Sequence, residues 1–298
     1  MKRIAFQLDY QRPYSLHYHA GDDGAVMRSF WLHGKPVVMR LEQRKANGPV
    51  KAEAFSDEHI GSLGDELQRA AHHMIGDKDD LAGFRAAIAK DKRLAGLVDA
   101  LPGYKAMRGP DLWTMMLSSL VAQQISGAAA RSIRLKLART YGHVVRVGNE
   151  DVPVVPSAER LYDLREDDLR AVGFSQKKAE YARGMAQALL DGTIVPAELK
   201  RMPPDEMIRK LSSLKGVGVW TAECIGIFCI GHPDLIPADD LGIQKAITHL
   251  YKLKADPKPK EVRARGEKWK GWRSYATTYL WAGLNHAILV PRKIPAAP

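Results

Sequence analysis

The chain has 298 residues, 45% of them hydrophobic and 27% charged. That composition is ordinary for a globular protein, and the length suits two domains. Lysine and arginine outnumber aspartate and glutamate by 45 to 34, a formal net charge of +11, which favours a polyanion such as nucleic acid or an anionic membrane surface. No apolar run approaches the roughly 20 residues that a bilayer-spanning helix needs. The opening MKRIAFQLDY lacks the continuous apolar stretch of a secretory signal. A cytoplasmic protein, free of the membrane, is expected.

Residues 4–9, 25–32 and 37–42 read as strands, with 49–54 as one more; residues 21–24 and 33–36 read as turns between them. From Asp57 the apolar residues Ile60, Leu63, Leu67 and Ala71 recur at helical spacing. Residues 1–90 therefore form an expected α+β domain. Residues 91–298 read as helices only, in two lobes with a cleft between them. Residues 111–141 read as one long segment, with Trp113, Met116, Leu117 and Leu120 on one face. Residues 144–156, rich in valine and proline, read as a loop. Ser157, Asp167 and Ser175 are expected helix caps, and Gly173 a helix end. Pro203-Pro204 opens a helix, and a helical tail runs from about residue 261 to 289. Prolines 291, 295 and 298 mark a loose end.

Between these helices lies LSSLKGVGVWTAECIGIFCIGHPDLIPADDLGIQKAI, residues 211–247. Leu214-Lys215-Gly216-Val217-Gly218 is a tight hairpin in which glycine permits positive φ and close backbone approach. A helix starting near Val219 would present unpaired amides and its positive end, a setting for a phosphate. The plainer reading is an ordinary turn between packed helices. Cys224 and Cys229 fall well apart around that helix, so reduced, unbridged thiols are expected. Two cysteines are also too few for an iron–sulfur cluster, which usually takes four. The pair Asp239-Asp240 lies about twenty residues beyond Trp220. Either aspartate could cap the helix that follows.

LKGVGVWTAECI resembles the helix–hairpin–helix motif of the DNA glycosylase superfamily that joins this hairpin to a Gly/Pro-rich loop and a catalytic aspartate. WRSYATTYLW (residues 272–281), LVAQQISGAAA (120–130) and LRAVGFSQKKAEYARGMA (169–186) resemble segments of the 3-methyladenine DNA glycosylase II family, the AlkA type. The similarity is strong from about residue 100 onward and loose before it. It implies an enzyme that needs no cofactor, acts as a monomer, and binds double-stranded DNA containing alkylated bases. The implied reaction is hydrolysis of the N-glycosidic bond of an alkylated purine, leaving an abasic site.

The resemblance also assigns residues. Asp240 matches the catalytic aspartate, with Asp239 as a structural residue such as a cap. Trp220, Trp281, Cys224 and Leu241 match base-pocket positions. Cys224 and Leu241 stand where the family often has aromatic rings. Gly216, Gly218, Thr221 and Lys215 match the DNA-binding hairpin. Gln124, with Ile125 beside it, matches the residue that fills the gap left by an everted nucleotide; the plainer reading is an exposed amide at a helix end. The main-chain carbonyls of Ser212, Leu214 and Val217 match a monovalent-cation site. Relatives that also nick the strand carry a lysine nucleophile after the hairpin. Trp220 stands there instead, which implies base removal by water alone, unless that indole serves only core packing.

Other clusters carry less. His72 and His73 diverge on a helix and have no third ligand nearby. The basic run from Lys252 to Lys270 fits a solvated face or one flank of a DNA channel. Two alternatives remain open at this point: a superfamily enzyme for deaminated or mismatched bases, and a non-catalytic DNA-binding module.

Overall fold

The computed structural model describes residues 2–8, 14–21 and 24–290. Asp9 of the first expected strand, Asp22 and Asp23 of the expected turn, and the prolines at 291, 295 and 298 lie outside the described residues. Strands β1 (Lys2–Leu8), β2 (Ala25–Leu32), β3 (Lys35–Glu42) and β4 (Val50–Ser56) form an antiparallel sheet in the order β1-β4-β3-β2. His33 and Gly34 join β2 to β3 with φ of 50° and 72°. Two successive positive φ values suit a two-residue hairpin turn, because its twist matches the strands.

Side-chain alternation along these strands fixes what covers each face. Val37, Met39 and Leu41 of β3, with Ala52 and Ala54 of β4, pack against helix α1 (Gly64–Met74) through Leu67, Ala71 and Met74. Val38 and Phe55 point the other way and pack on Val145, Val147 and Val154. Those valines belong to a β-hairpin, β5 (His143–Val147) and β6 (Glu150–Val154), paired antiparallel with Val145 opposite Val152. The sequence expectation of a loop here, and of helices only beyond residue 90, is therefore corrected. Pro153 is tolerated because it sits in a two-stranded ribbon, where one side of each strand needs no ladder bond. Burial against the sheet stabilises a pairing that local pattern alone did not signal.

A mostly helical core follows the small sheet. Its first lobe contains α4 (Leu112–Ala122), α5 (Gly127–Tyr141), α6 (Ala158–Asp163), α7 (Glu166–Ala171), α8 (Gln176–Leu190), α9 (Pro196–Leu199), α10 (Pro204–Ser212) and α11 (Val219–Ile225) around one apolar cluster. The second lobe is built on α12 (Leu241–Tyr251), α13 (Pro259–Gly266) and α14 (Arg273–Asn285), which pack with α2 (Leu81–Ala87) and α3 (Lys92–Asp99). Phe84 and Ile88 precede residue 90 yet pack with Trp269 and Tyr279 of this lobe. Trp281 packs against both lobes.

Three further expectations are corrected. Residues 111–141 are two helices, because Gln124 adopts φ of 56° and Ser126 restarts the chain as the N-cap of α5. The C-terminal tail breaks at Gly271, with φ of 85°, between α13 and α14. Asp167 caps nothing; Arg165 holds the N-cap position of α7, and its amide donates to Asp168 at 3.0 Å. Ser157 and Ser175 do cap their helices, accepting from the amides of Arg160 and Lys178. Among the described residues no helix is long and apolar enough to cross a membrane.

Phe55 is the large side chain between the sheet and the β5–β6 hairpin. Phe55→Ala should cost about 3–5 kcal/mol of folding stability. Urea denaturation followed by circular dichroism reads the shift.

Candidate active site

The chain reverses between α10 and α11 at the glycine hairpin. Gly216 takes φ of 85°, and a Cβ there would lie 2.5 Å from the Tyr181 ring of α8. Glycine is required on both counts. Gly218 differs: it is extended (φ −80°, ψ 171°), and a Cβ there would meet open space. It occupies the N-cap of α11 and offers no side chain to the first amides of that helix. Lys215 is exposed and its ammonium pairs with Glu180 at 3.0 Å.

A cavity of about 1020 Å³ opens beside this hairpin, lined by α4, the hairpin, α11, the start of α12 and α14. Asp240 lies in its wall. Three N–H groups converge on that carboxylate. The Ile243 amide donates to Oδ1 at 2.8 Å, the Trp281 indole to Oδ1 at 3.0 Å, and the Trp220 indole to Oδ2 at 2.9 Å. The first of these makes Asp240 the N-cap of α12. Asp239 is exposed and pairs with Arg263 at 2.9 Å. The capping role expected of Asp239 thus belongs to Asp240.

Trp220 keeps 42% of its surface exposed. Trp281 is half-buried and packs on Phe228, with ring centroids 5.3 Å apart. Cys224 lines the cavity, and both cysteines are buried free thiols. Burial, with smaller contributions from Asp240 and Glu223, pushes the Cys224 thiol far above its ordinary range. Thr221 is buried in the same wall. Gln124 also lines the cavity, on the turn after α4, and Ile125 is exposed next to it. Leu241 does not line the cavity and is 78% exposed.

Ser212, Leu214 and Val217 all border the cavity. The Leu214 carbonyl already accepts the Val217 amide at 3.1 Å. Carbonyl oxygens with no carboxylate among them suit a weakly held monovalent ion better than a divalent one. Among the described residues no cluster of three or more His, Cys, Asp or Glu side chains forms a metal site. His73 instead hydrogen-bonds the Cys229 carbonyl at 2.7 Å, and burial brings its pKa down to about 4.

Sequence reasoning missed Phe228, Gln123 and the α4 residues Met115, Ser118 and Ser119 in the lining. Trp220, Cys224 and Phe228 are spaced by four, so a helical projection from Trp220 would have found Phe228. Phe228 lies in a π-helical turn, residues 226–230, that continues α11.

Comparison with known proteins decides the family. A sequence profile described as "HhH-GPD superfamily base excision DNA repair protein" matches residues 117–271, just over half the chain. The chain belongs to the HhH-GPD superfamily. It is similar to the DNA-3-methyladenine glycosylase of Bacillus subtilis, 28% identical over 217 residues, covering 73% of this chain and 72% of that one. It is also similar to DNA-3-methyladenine glycosylase 1 of Schizosaccharomyces pombe, 30% identical over 193 residues, covering 64% and 80%. The solved 3-methyladenine DNA-glycosylase from Archaeoglobus fulgidus shares the fold, with a TM-score of 0.78 at 21% identity over 97% of this chain and all of that one. The HhH-GPD match spans the hairpin, the π turn and Asp240, whereas Trp281 lies just beyond it.

Glu223 of α11 faces a second, smaller cavity of about 400 Å³ together with Arg263 and Arg273. Burial pushes its carboxyl up to about 7, opposed by Arg263 at 3.6 Å. The folded state thus holds this proton more tightly than an unfolded chain, where glutamate ionises near 4.3. A raised carboxyl pKa costs stability as pH climbs from about 4.5 to about 7. Glu223→Gln should flatten that part of the stability profile. Its stability relative to wild type should be higher at pH 8 than at pH 5, as urea denaturation at the two pH values will show.

Proposed function

We propose that the protein is a monofunctional DNA glycosylase that hydrolyses the N-glycosidic bond of alkylated purines in duplex DNA. The observation that carries this reading is the Asp240 carboxylate, held by two indole N–H groups in the wall of a cavity beside the glycine hairpin. The relatives named DNA-3-methyladenine glycosylases support the substrate class.

The hairpin takes a backbone phosphate, a contact that positions the duplex without reading its sequence. The damaged nucleotide turns out of the stack into the cavity, and Gln124 fills the space it leaves. Each indole points its N–H edge at Asp240; Trp281 packs against Phe228, and the more exposed Trp220 offers its ring to a base. An N3- or N7-alkylated purine is cationic, and a cation over an indole face gains about 0.5–2 kcal/mol beyond ordinary stacking.

Such a base is already a good leaving group. The barrier lies in the positive charge that builds on the deoxyribose as the bond breaks. A carboxylate about 4 Å away stabilises that charge by about 4 kcal/mol at an effective dielectric near 20. That is roughly a thousandfold in rate. Water then adds to the anomeric carbon, losing its proton to Asp240 or to solvent. Among the described residues that line the cavity none is a lysine. No amine is therefore placed to attack the sugar and cut the strand.

Asp240→Asn should lower base release about a thousandfold while duplex affinity survives. Base release from methylated duplexes, compared with deaminated ones, measures the rate and separates substrate classes. Near-normal release by the variant removes Asp240 from the mechanism. Borohydride should trap no covalent complex with DNA.

Trp220→Phe and Trp281→Phe each keep an aromatic face but lose the donor to Asp240. Single-turnover release should fall about tenfold or more for each, the scale of a lost hydrogen bond to a charged group. A weakened substrate affinity at unchanged rate would show that only the ring face matters.

A further inference from the structure

The turn between α4 and α5 is fastened at two points. The Lys178 ammonium, on α8, donates to the carbonyls of Val121 and Gln123, both at 2.8 Å. These are carbonyls near the C-terminal end of α4, whose last carbonyls have no partner within their own helix. The Gln123 side-chain amide donates to the Gly216 carbonyl of the glycine hairpin at 2.8 Å, and both residues line the cavity. Between these fasteners the chain enters the left-handed region at Gln124, with φ of 56°. Glutamine adopts that conformation only at a cost, so surrounding contacts must hold it. Gln124 is exposed and lines the cavity. Ser126 then caps α5 and fixes the far side of the turn.

We infer that Lys178 and Gln123 are positioning residues that couple the phosphate-binding hairpin to the turn presenting Gln124. Hairpin and turn therefore move as one body. A strand gripped at the hairpin meets the Gln124 side chain at a set distance and angle, and eversion of a nucleotide is locked in as the gap is filled. Lys178 spends its charge on two carbonyls instead of on DNA. Partial burial lowers its pKa, in keeping with an ammonium drawn onto these two carbonyls. Tyr181, three residues along α8, packs beneath Gly216, so one helix supports both halves of the device. The inference rests on the glycosylase reading for what the coupling accomplishes, but the coupling itself is a binding property.

The test compares wild type with Lys178→Met and Gln123→Met, which keep much of the side-chain bulk and lose the donors. Thermal melting checks that each variant is folded. Affinities are measured for an intact duplex and for the same duplex carrying an abasic-site analogue, where the gap is preformed. Wild type should prefer the abasic duplex. Lys178→Met should lose about fivefold to tenfold of that preference, the scale set by one or two hydrogen bonds, with intact-duplex affinity changed less than about twofold. Gln123→Met should lose preference by a similar factor.

An unchanged preference in both variants overturns the coupling. A parallel loss of affinity for both duplexes, with a smaller salt dependence, also overturns it, because Lys178 would then be a plain phosphate contact. Base release by wild type is assayed alongside. Its absence from every methylated duplex sinks the glycosylase reading, while the affinity ratio still decides the coupling.

Discussion

One carboxylate joins the two lobes. Asp240 accepts an amide from its own helix α12, an indole from α11 and an indole from α14. Each donor comes from a different element, and all three must be in register for the carboxylate to be satisfied. The N-cap bond is worth about 0.5–2 kcal/mol to helix α12. The helix in turn places its positive end beside the carboxylate. The two roles that the sequence left as alternatives, helix cap and reactive group, are compatible because they use different lone pairs. Oδ1 takes the cap and the Trp281 indole, and among the described residues Oδ2 accepts only from Trp220, whose indole is partly exposed. Oδ2 is thus held by a residue that itself lines the cavity.

The N-terminal unit bears on the same wall. A π-helical turn leaves carbonyls that an α-helix would have satisfied. Here the Cys229 carbonyl meets His73 of α1, and the Phe228 carbonyl accepts the Gly109 amide at 2.6 Å. Arg108, next in the chain, pairs with Asp79, and its amide donates to the Met74 carbonyl at the end of α1. Phe228 supports Trp281, and Trp281 reaches Asp240. A continuous path of contacts therefore runs from the sheet-bearing unit to the carboxylate. The low pKa of His73 keeps it neutral at physiological pH, and the charges on the path, Arg108 and Asp79, pair with each other.

What the sequence made legible was local. Leu214–Gly218, Trp220 and Asp240 are separated by short distances along the chain, and the chemistry of each residue type limits what it can do there. The β5–β6 hairpin was hidden because its valines are explained by Val38 and Phe55, which lie about a hundred residues earlier. At Gln124 the sequence offered a helix end as one reading, but not the contact that fastens the turn, because the Lys178 ammonium on the Val121 and Gln123 carbonyls comes from another helix. Leu241 was misplaced for a different reason. Counting along α12 from Asp240 sets no rotation until the cap is known, and the cap turns Leu241 outward. Residue chemistry alone did not separate Asp239 from Asp240; the resemblance did, and the physical difference is Arg263, which pairs with Asp239 from α13.

That pairing bears on substrate choice. Asp239 and Glu223 both lean on Arg263 and lie outside the cavity lining. Asp240 is therefore the single carboxylate among the described residues that line it, set among Met115, Leu214, Val217, Phe228 and two tryptophans. A lone anion in mostly apolar surroundings attracts a cation more strongly than it would in water. The other polar side chains of the lining are the hydroxyls of Ser118, Ser119, Ser212 and Thr221 and the amides of Gln123 and Gln124, none of them an acid strong enough to protonate a departing base at neutral pH. Cys224 supplies no proton readily either, its thiol pushed up by burial. A neutral purine needs a proton to leave, and this wall supplies none readily. A purine that carries its positive charge from alkylation leaves without one, and the same charge is what the indoles and the carboxylate favour. On the glycosylase reading proposed above, the cavity selects by the charge state of the base more than by its shape.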